Sequence, residues 1–111
     1  MAQTHALSGQ VVSVLPLGAH LKGAKTTAIL KAEELEIVRV VLLADHEIRE
    51  HKAPGEITVQ CIEGRIEFRT PETSQTLGPG DLVHLRSKEP HALRALTDAS
   101  ALVTMRVGRM N

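Results

Sequence analysis

The residues best equipped for chemistry lie in two short stretches. One runs His51-Lys52-Ala53-Pro54-Gly55-Glu56-Ile57-Thr58-Val59-Gln60-Cys61-Ile62-Glu63-Gly64. It joins an imidazole, a Pro-Gly bend and a carboxylate to a β-prone segment that stops at glycine. The other centres on His91, forty residues further on and also behind a glycine-punctuated strand. An imidazole is a metal ligand and an acid–base group near neutral pH. If the two rings meet, the protein has a site.

The composition narrows what that site serves. Thirteen basic and thirteen acidic side chains cancel, so there is no general pull on nucleic acid or an anionic membrane. Trp and Tyr are absent and Phe68 is the one Phe, which leaves no platform for stacking bases. Cys61 is the single cysteine, so no internal disulfide forms, in keeping with a reducing compartment. No signal-like leader opens the chain, and no apolar run approaches the ~20 residues of a membrane helix. These features predict a soluble cytoplasmic protein of one domain, 1–111, with residues 1–10 as a loose leader.

The elements that must position the histidines read as strands. Val11–Leu15 is β-prone and closed by Pro16. The segment 25–43 mixes helix-favouring Ala, Leu, Lys and Glu with a β-branched run, Ile37–Leu43. We divide it into a strand at 25–31, a turn at 32–34 and a strand at 35–43, the last apolar enough to be covered on both faces. Residues 44–55 read as polar loop. Strands follow at 57–61, 65–69, 75–77, 82–85, 91–96 and 101–107, separated by Glu63-Gly64, Gly78-Pro79-Gly80-Asp81 and Thr97-Asp98. Eight or nine short strands without a helix predict an all-β sandwich or barrel. Its free strand edges predict a homodimer.

These motifs resemble a family. The chain is similar to small single-domain cupins of the RmlC-like type, whose fold is a jelly-roll barrel, the double-stranded β-helix, here over about residues 35–107. The first family motif is Gly, five residues, His-x-His, three or four residues, Glu, six residues, Gly. His51 takes the first histidine and Gly64 the closing glycine; Asp45, Ala53 and Ile57 replace the first glycine, the second histidine and the glutamate. In the second motif, Gly80 and His91 stand at the family separation, while Arg86, Lys88 and Ala95 replace Pro, Gly and Asn. The His-Lys-Ala-Pro-Gly-Glu-Ile-Thr-Val-Gln-Cys stretch resembles a subgroup of short bacterial cupins.

The resemblance implies a divalent metal, Fe, Ni, Zn or Mn, held by histidines and a carboxylate. Here it leaves His51 and His91. Residues 51, 53, 55, 57, 59 and 61 share one face of a regular strand. A bulge at Pro54-Gly55 would turn Glu56 inward and complete a two-histidine, one-carboxylate set. That predicts a metal-dependent oxygenase- or isomerase-type enzyme acting on a small molecule. The alternative is a non-catalytic module without metal, binding or sensing a small ligand against Ile57, Val59, Leu93 and Val103. His84 is expected at the surface or core edge, and Cys61 as a small buried residue. Gln60 is an outward strand residue or an oxygen donor. Arg39 either faces outward or is buried against an anion such as Glu36, Glu67 or an acidic ligand.

Overall fold

The computed structural model describes residues 5–108. Residues 1–4 of the expected leader lie outside them. A short 3₁₀ helix, Gly18–Gly23, precedes nine strands: β1 Thr27–Lys31, β2 Leu35–Leu42, β3 Glu47–His51, β4 Ile57–Glu63, β5 Ile66–Arg69, β6 Ser74–Leu77, β7 Leu82–Leu85, β8 His91–Ala95 and β9 Ala99–Arg106. They form two antiparallel sheets, ordered β1-β2-β9-β4-β7 and β3-β8-β5-β6, which face each other as an all-β jelly roll. The division of 25–43 into two strands holds, with β1 and β2 paired antiparallel.

The alternation along the strands builds the core. Val59 and Cys61 of β4, Ile66 and Phe68 of β5, Leu93 and Ala95 of β8, and Ala99 and Ala101 of β9 are buried in one cluster. Alternate residues point to one side of a strand, so each supplies an apolar residue every second position. Small residues at 95, 99 and 101 leave room for the sheets to approach around Phe68.

Two sequence expectations change. Val11–Leu15 belongs to neither sheet. Its β propensity is not enough without a ladder to join, and Pro16 removes a donor at its end. The polar stretch 44–55 contains β3, which the sequence hid because this is an edge strand with only Ile48 shielded from solvent; charged residues are what edge strands carry.

Asp45 and Lys88 stand where the family motifs have glycine, and both keep a left-handed backbone, φ 70° and 64°. The turn geometry survives the loss of the residue that adopts it most easily. Gly64 (φ 80°) has no such latitude, because a Cβ there would overlap the Asp98 carbonyl oxygen and Ala99.

Candidate functional site

His51 ends β3 and His91 opens β8, and the two are direct register partners across the ladder. Their ring centres are 4.2 Å apart and tilted by 55°. The ladder steps from Ile48↔Leu93 to His51↔His91, so β3 carries one extra residue, a β-bulge at Arg49-Glu50. Without it, period-two alternation would place Ile48 and His51 on opposite faces; with it both face inward. The bulge therefore exists, but about five residues earlier than the Pro54-Gly55 bend, and the residue it turns inward is His51.

The two imidazoles occupy different depths. His91 is only 3% exposed and stacks on Phe68, with ring centres 5.9 Å apart and planes 13° from parallel. His51 lies at the solvent-exposed mouth. Both rings are anchored alike: His51 Nδ1 lies 3.0 Å from the Arg49 carbonyl oxygen, and His91 Nδ1 lies 3.0 Å from that of Glu89. A carbonyl only accepts, so each neutral ring carries its proton on Nδ1 and keeps Nε2 as a bare acceptor. Burial, with the neighbouring His51 adding to it, pushes His91 below the usual imidazole range despite the opposing pull of the Glu89 carbonyl; a charged ring is poorly solvated there.

Both rings open on a cavity of ≈ 200 Å³ between the sheets. The remaining lining is apolar: Val38 and Val40 of β2, Ile48 of β3, Ala53, Ile57 and Val59 of β4 and the turn before it, Leu93 of β8, and Val103 and Met105 of β9. All four apolar residues expected there from sequence are present. Val38, Val40, Ile48 and Met105 add to them, and the alternation Val38-Arg39-Val40 is the sequence signal of a one-sided strand that points to the first two. A wider groove of ≈ 380 Å³ runs past Phe68, Glu72, Gln75, His84, Arg86 and Glu89. It holds neither His51 nor the apolar wall, so the cavity is the better candidate site.

Glu56 does not join the histidines. The chain keeps its alternation through Pro54-Gly55, so Ile57 is the buried residue and Glu56 points outward. Its carboxylate meets His84 Nε2 at 2.7 Å, at side chains 61% and 57% exposed. Among the described residues, no group of three or more His, Cys, Asp or Glu side chains is placed to hold a metal ion. The cavity offers two imidazoles and no carboxylate, a donor set that does not fit a centre of three histidines and a carboxylate.

The remaining residues singled out in the sequence serve structure. Cys61 is fully buried, and burial first, then the Asp81 charge, raises its thiol pKa, which keeps it an unreactive thiol. Gln60 is register partner to Leu82 and Leu102, half-buried on the face opposite the cavity. Arg39 is on that outer face too, 8% exposed. Neither Glu36 nor Glu67 pairs with it, and its buried Nη1 has no hydrogen-bond partner among the described residues; its charge still helps to keep the Glu63 carboxyl ionised.

Glu63, read from sequence only as part of a turn, ties the N-terminal segment to the barrel. It accepts from the Leu17 and Gly18 N–H groups at 2.9 and 3.0 Å and from Ser100 Oγ at 2.6 Å. Burial works to raise its pKa, but these hydrogen bonds and Arg39 outweigh it and hold the carboxyl below its ordinary range.

Comparison with known proteins agrees with this architecture. A cupin domain model matches residues 38–107. Among solved structures, a cupin superfamily protein from Desulfitobacterium hafniense DCB-2 is 12% identical, with a TM-score of 0.73 over 87% of this chain and 98% of that one. A conserved protein of unknown function from Streptococcus pyogenes is 19% identical, with a TM-score of 0.71 over the whole of both chains. The DMSP lyase DddQ from Ruegeria pomeroyi DSS-3 is 25% identical, with a TM-score of 0.67 over 88% of this chain but 54% of the enzyme. No functionally curated protein sequence matches. No helix among the described residues is long and apolar enough to cross a membrane. The matched domain model, the paired antiparallel sheets and the inward histidines at the two motif positions make this chain a member of the cupin family.

Proposed function

We propose that this cupin binds a small, mostly apolar organic molecule in the cavity between its sheets, with His51 and His91 fixing the orientation of the polar end. The observation that carries this reading is the lining: two imidazoles on one wall and nine apolar residues around them. Its volume is below the usual range for drug-sized ligands, but an apolar cavity of about 150 Å³ is enough for benzene. The test is a thermal-shift panel of small aromatic and alicyclic compounds on the purified protein. A ligand that binds only the native state raises the melting temperature with concentration, and Val59→Phe, which fills the cavity, abolishes the shift. A panel without any shift overturns the reading.

One observation favours a second reading, a divalent metal held by His51 and His91 in an oxygenase- or isomerase-type enzyme. Both Nδ1 atoms are tied to backbone carbonyl oxygens, the outer support that metal-ligating histidines commonly have. Fe, Ni, Zn and Mn are the ions imidazole suits, and Glu56 would have to abandon His84 and cross the strand to join them. Metal analysis of protein purified without chelator, compared with the His51→Ala/His91→Ala double variant, tests it; equal metal in both overturns it. The lyase name of one structural neighbour supports assaying turnover as well as binding.

We also propose that the chain is a homodimer. Leu7, Val11 and Leu15 are largely exposed, and Val11–Leu15 is a strand-prone segment without a ladder. Light scattering coupled to size exclusion checks this, and a monomer at micromolar concentration overturns it.

A further inference from the structure

We infer that the cavity selects ligands that donate hydrogen bonds and rejects isosteres that only accept them. This deepens the binding reading above and rests on it. Each of the two Nδ1 atoms is 3.0 Å from a backbone carbonyl oxygen two residues earlier in its own chain segment. That oxygen cannot donate, so the Nδ1 must, and a neutral imidazole has one proton to place. Both rings are thereby locked in the same tautomer by local backbone geometry, and the rest of each ring presents only the Nε2 lone pair.

Nothing else in the cavity corrects that bias. Its walls are valine, isoleucine, leucine, alanine and methionine, with no hydroxyl, amide or cationic group to donate to a ligand oxygen. Two rings 4.2 Å apart place two acceptors side by side, one deep at His91 and one at the mouth at His51. A ligand hydroxyl or N–H directed at His91 finds a partner. A carbonyl, ether or halogen at the same point faces a lone pair among apolar side chains and leaves both groups without a protein donor. Sites built around one hydrogen-bond sense discriminate strongly for this reason, since the penalty falls on the unpaired buried group. The chemical class is thus a small alicyclic or aromatic alcohol, phenol or amide, about the size of a single ring, with its donor on one edge. A second donor on the adjacent carbon matches His51.

Near-isosteric pairs that differ in hydrogen-bonding sense test this, whatever the natural ligand. Phenol is compared with fluorobenzene, and cyclohexanol with cyclohexanone, by chemical-shift titration at pH 7.5 with EDTA present throughout, so that only organic binding is read. The donor of each pair is expected to bind about tenfold tighter or more. In His91→Leu the preference falls to near unity while fluorobenzene still binds. Because His91 is packed on Phe68 and its replacement could disturb the fold, His51→Leu at the exposed mouth is the second variant. It lowers the affinity for catechol more than that for phenol, while the preference for phenol over fluorobenzene, set at His91, persists. Long-range ¹H–¹⁵N spectra of the unliganded protein supply an independent readout, with both rings as the Nδ1–H form. Equal or reversed preference in both pairs, or an Nε2–H tautomer at either ring, overturns the inference while leaving the binding reading intact. Failure of all five compounds to bind overturns the binding reading itself, and the ligand class with it.

Discussion

The protein holds two histidine pairings that lie one strand face apart and behave as opposites. Inside the barrel, His51 and His91 face each other across the β3–β8 ladder, and no carboxylate lines their cavity. Outside, His84 and Glu56 face each other across the β4–β7 edge, 2.7 Å apart and solvated. The sequence neighbours Glu56 and Ile57 decide which pair receives the carboxylate. Strand alternation sends them to opposite faces, so the acidic group that would complete an interior metal centre becomes half of a surface pair. The inner pair has one deeply buried imidazole and no carboxylate, and the outer pair has a carboxylate and no burial.

The largest expected effect comes from moving the carboxylate across that divide. Ile57→Glu places an ionisable group at a position only 4% exposed, on the wall of the cavity that both imidazoles line. It should lower stability by about 3 kcal/mol or more, read as a fall in melting temperature. Zn²⁺ or Ni²⁺ should restore much of the loss in the variant and have far less effect on the native chain. If metal affects both proteins equally, the inner pair needs no carboxylate and the contrast between the two pairs fails.

A smaller effect is expected where a carboxylate is already well supported. Glu63 accepts two backbone N–H groups and Ser100, and Glu63→Gln should cost about 1–2 kcal/mol in chemical denaturation. Its folded pKa is lowered, so its contribution is complete above the unfolded value of about 4.3 and is lost as pH falls through the folded one. The variant should lack that part of the acid limb.

His91 titrates in the other pH window. Its folded pKa lies below the ordinary imidazole value of 6.5. Above about 6.5 the ring is neutral in both states; as pH falls, the unfolded chain takes up the proton first, and stability declines until the folded pKa is passed. His91→Gln should flatten the stability profile below about pH 6.5. Ligand affinity should fall in the same direction, because protonation turns the inner acceptor into a donor.

A further modest effect concerns the turns that flank both pairs. Lys88 follows β7 in a left-handed conformation, φ 64°, and Lys88→Gly should raise stability by about 0.5–1 kcal/mol if relief of that strain exceeds the added chain entropy. The smallest effect belongs to the outer pair. Glu56→Gln should change stability by less than about 0.5 kcal/mol, because exposed ion pairs are weak, and should leave cavity binding unaltered. A loss of ligand or metal binding in Glu56→Gln would show that the outer pair serves the site after all.

The motif spacing around Gly64, Gly80 and His91 is enough to specify the fold class, because turn glycines and alternating apolar residues report local geometry directly. The same local rules identify Ile57, Val59, Leu93 and Val103 as inward residues, all of which line the cavity. Other features required the tertiary structure. The bulge at Arg49-Glu50 has no sequence signature, since charged residues on an edge strand resemble a loop, yet it is what turns His51 inward. The tautomers of both rings depend on which carbonyl each Nδ1 meets, and the partner of Glu63 is a chain segment more than forty residues away. Period-two patterning tells which residues share a face of one strand; which faces meet, and where a single extra residue reverses them, is decided only when the two sheets close on each other.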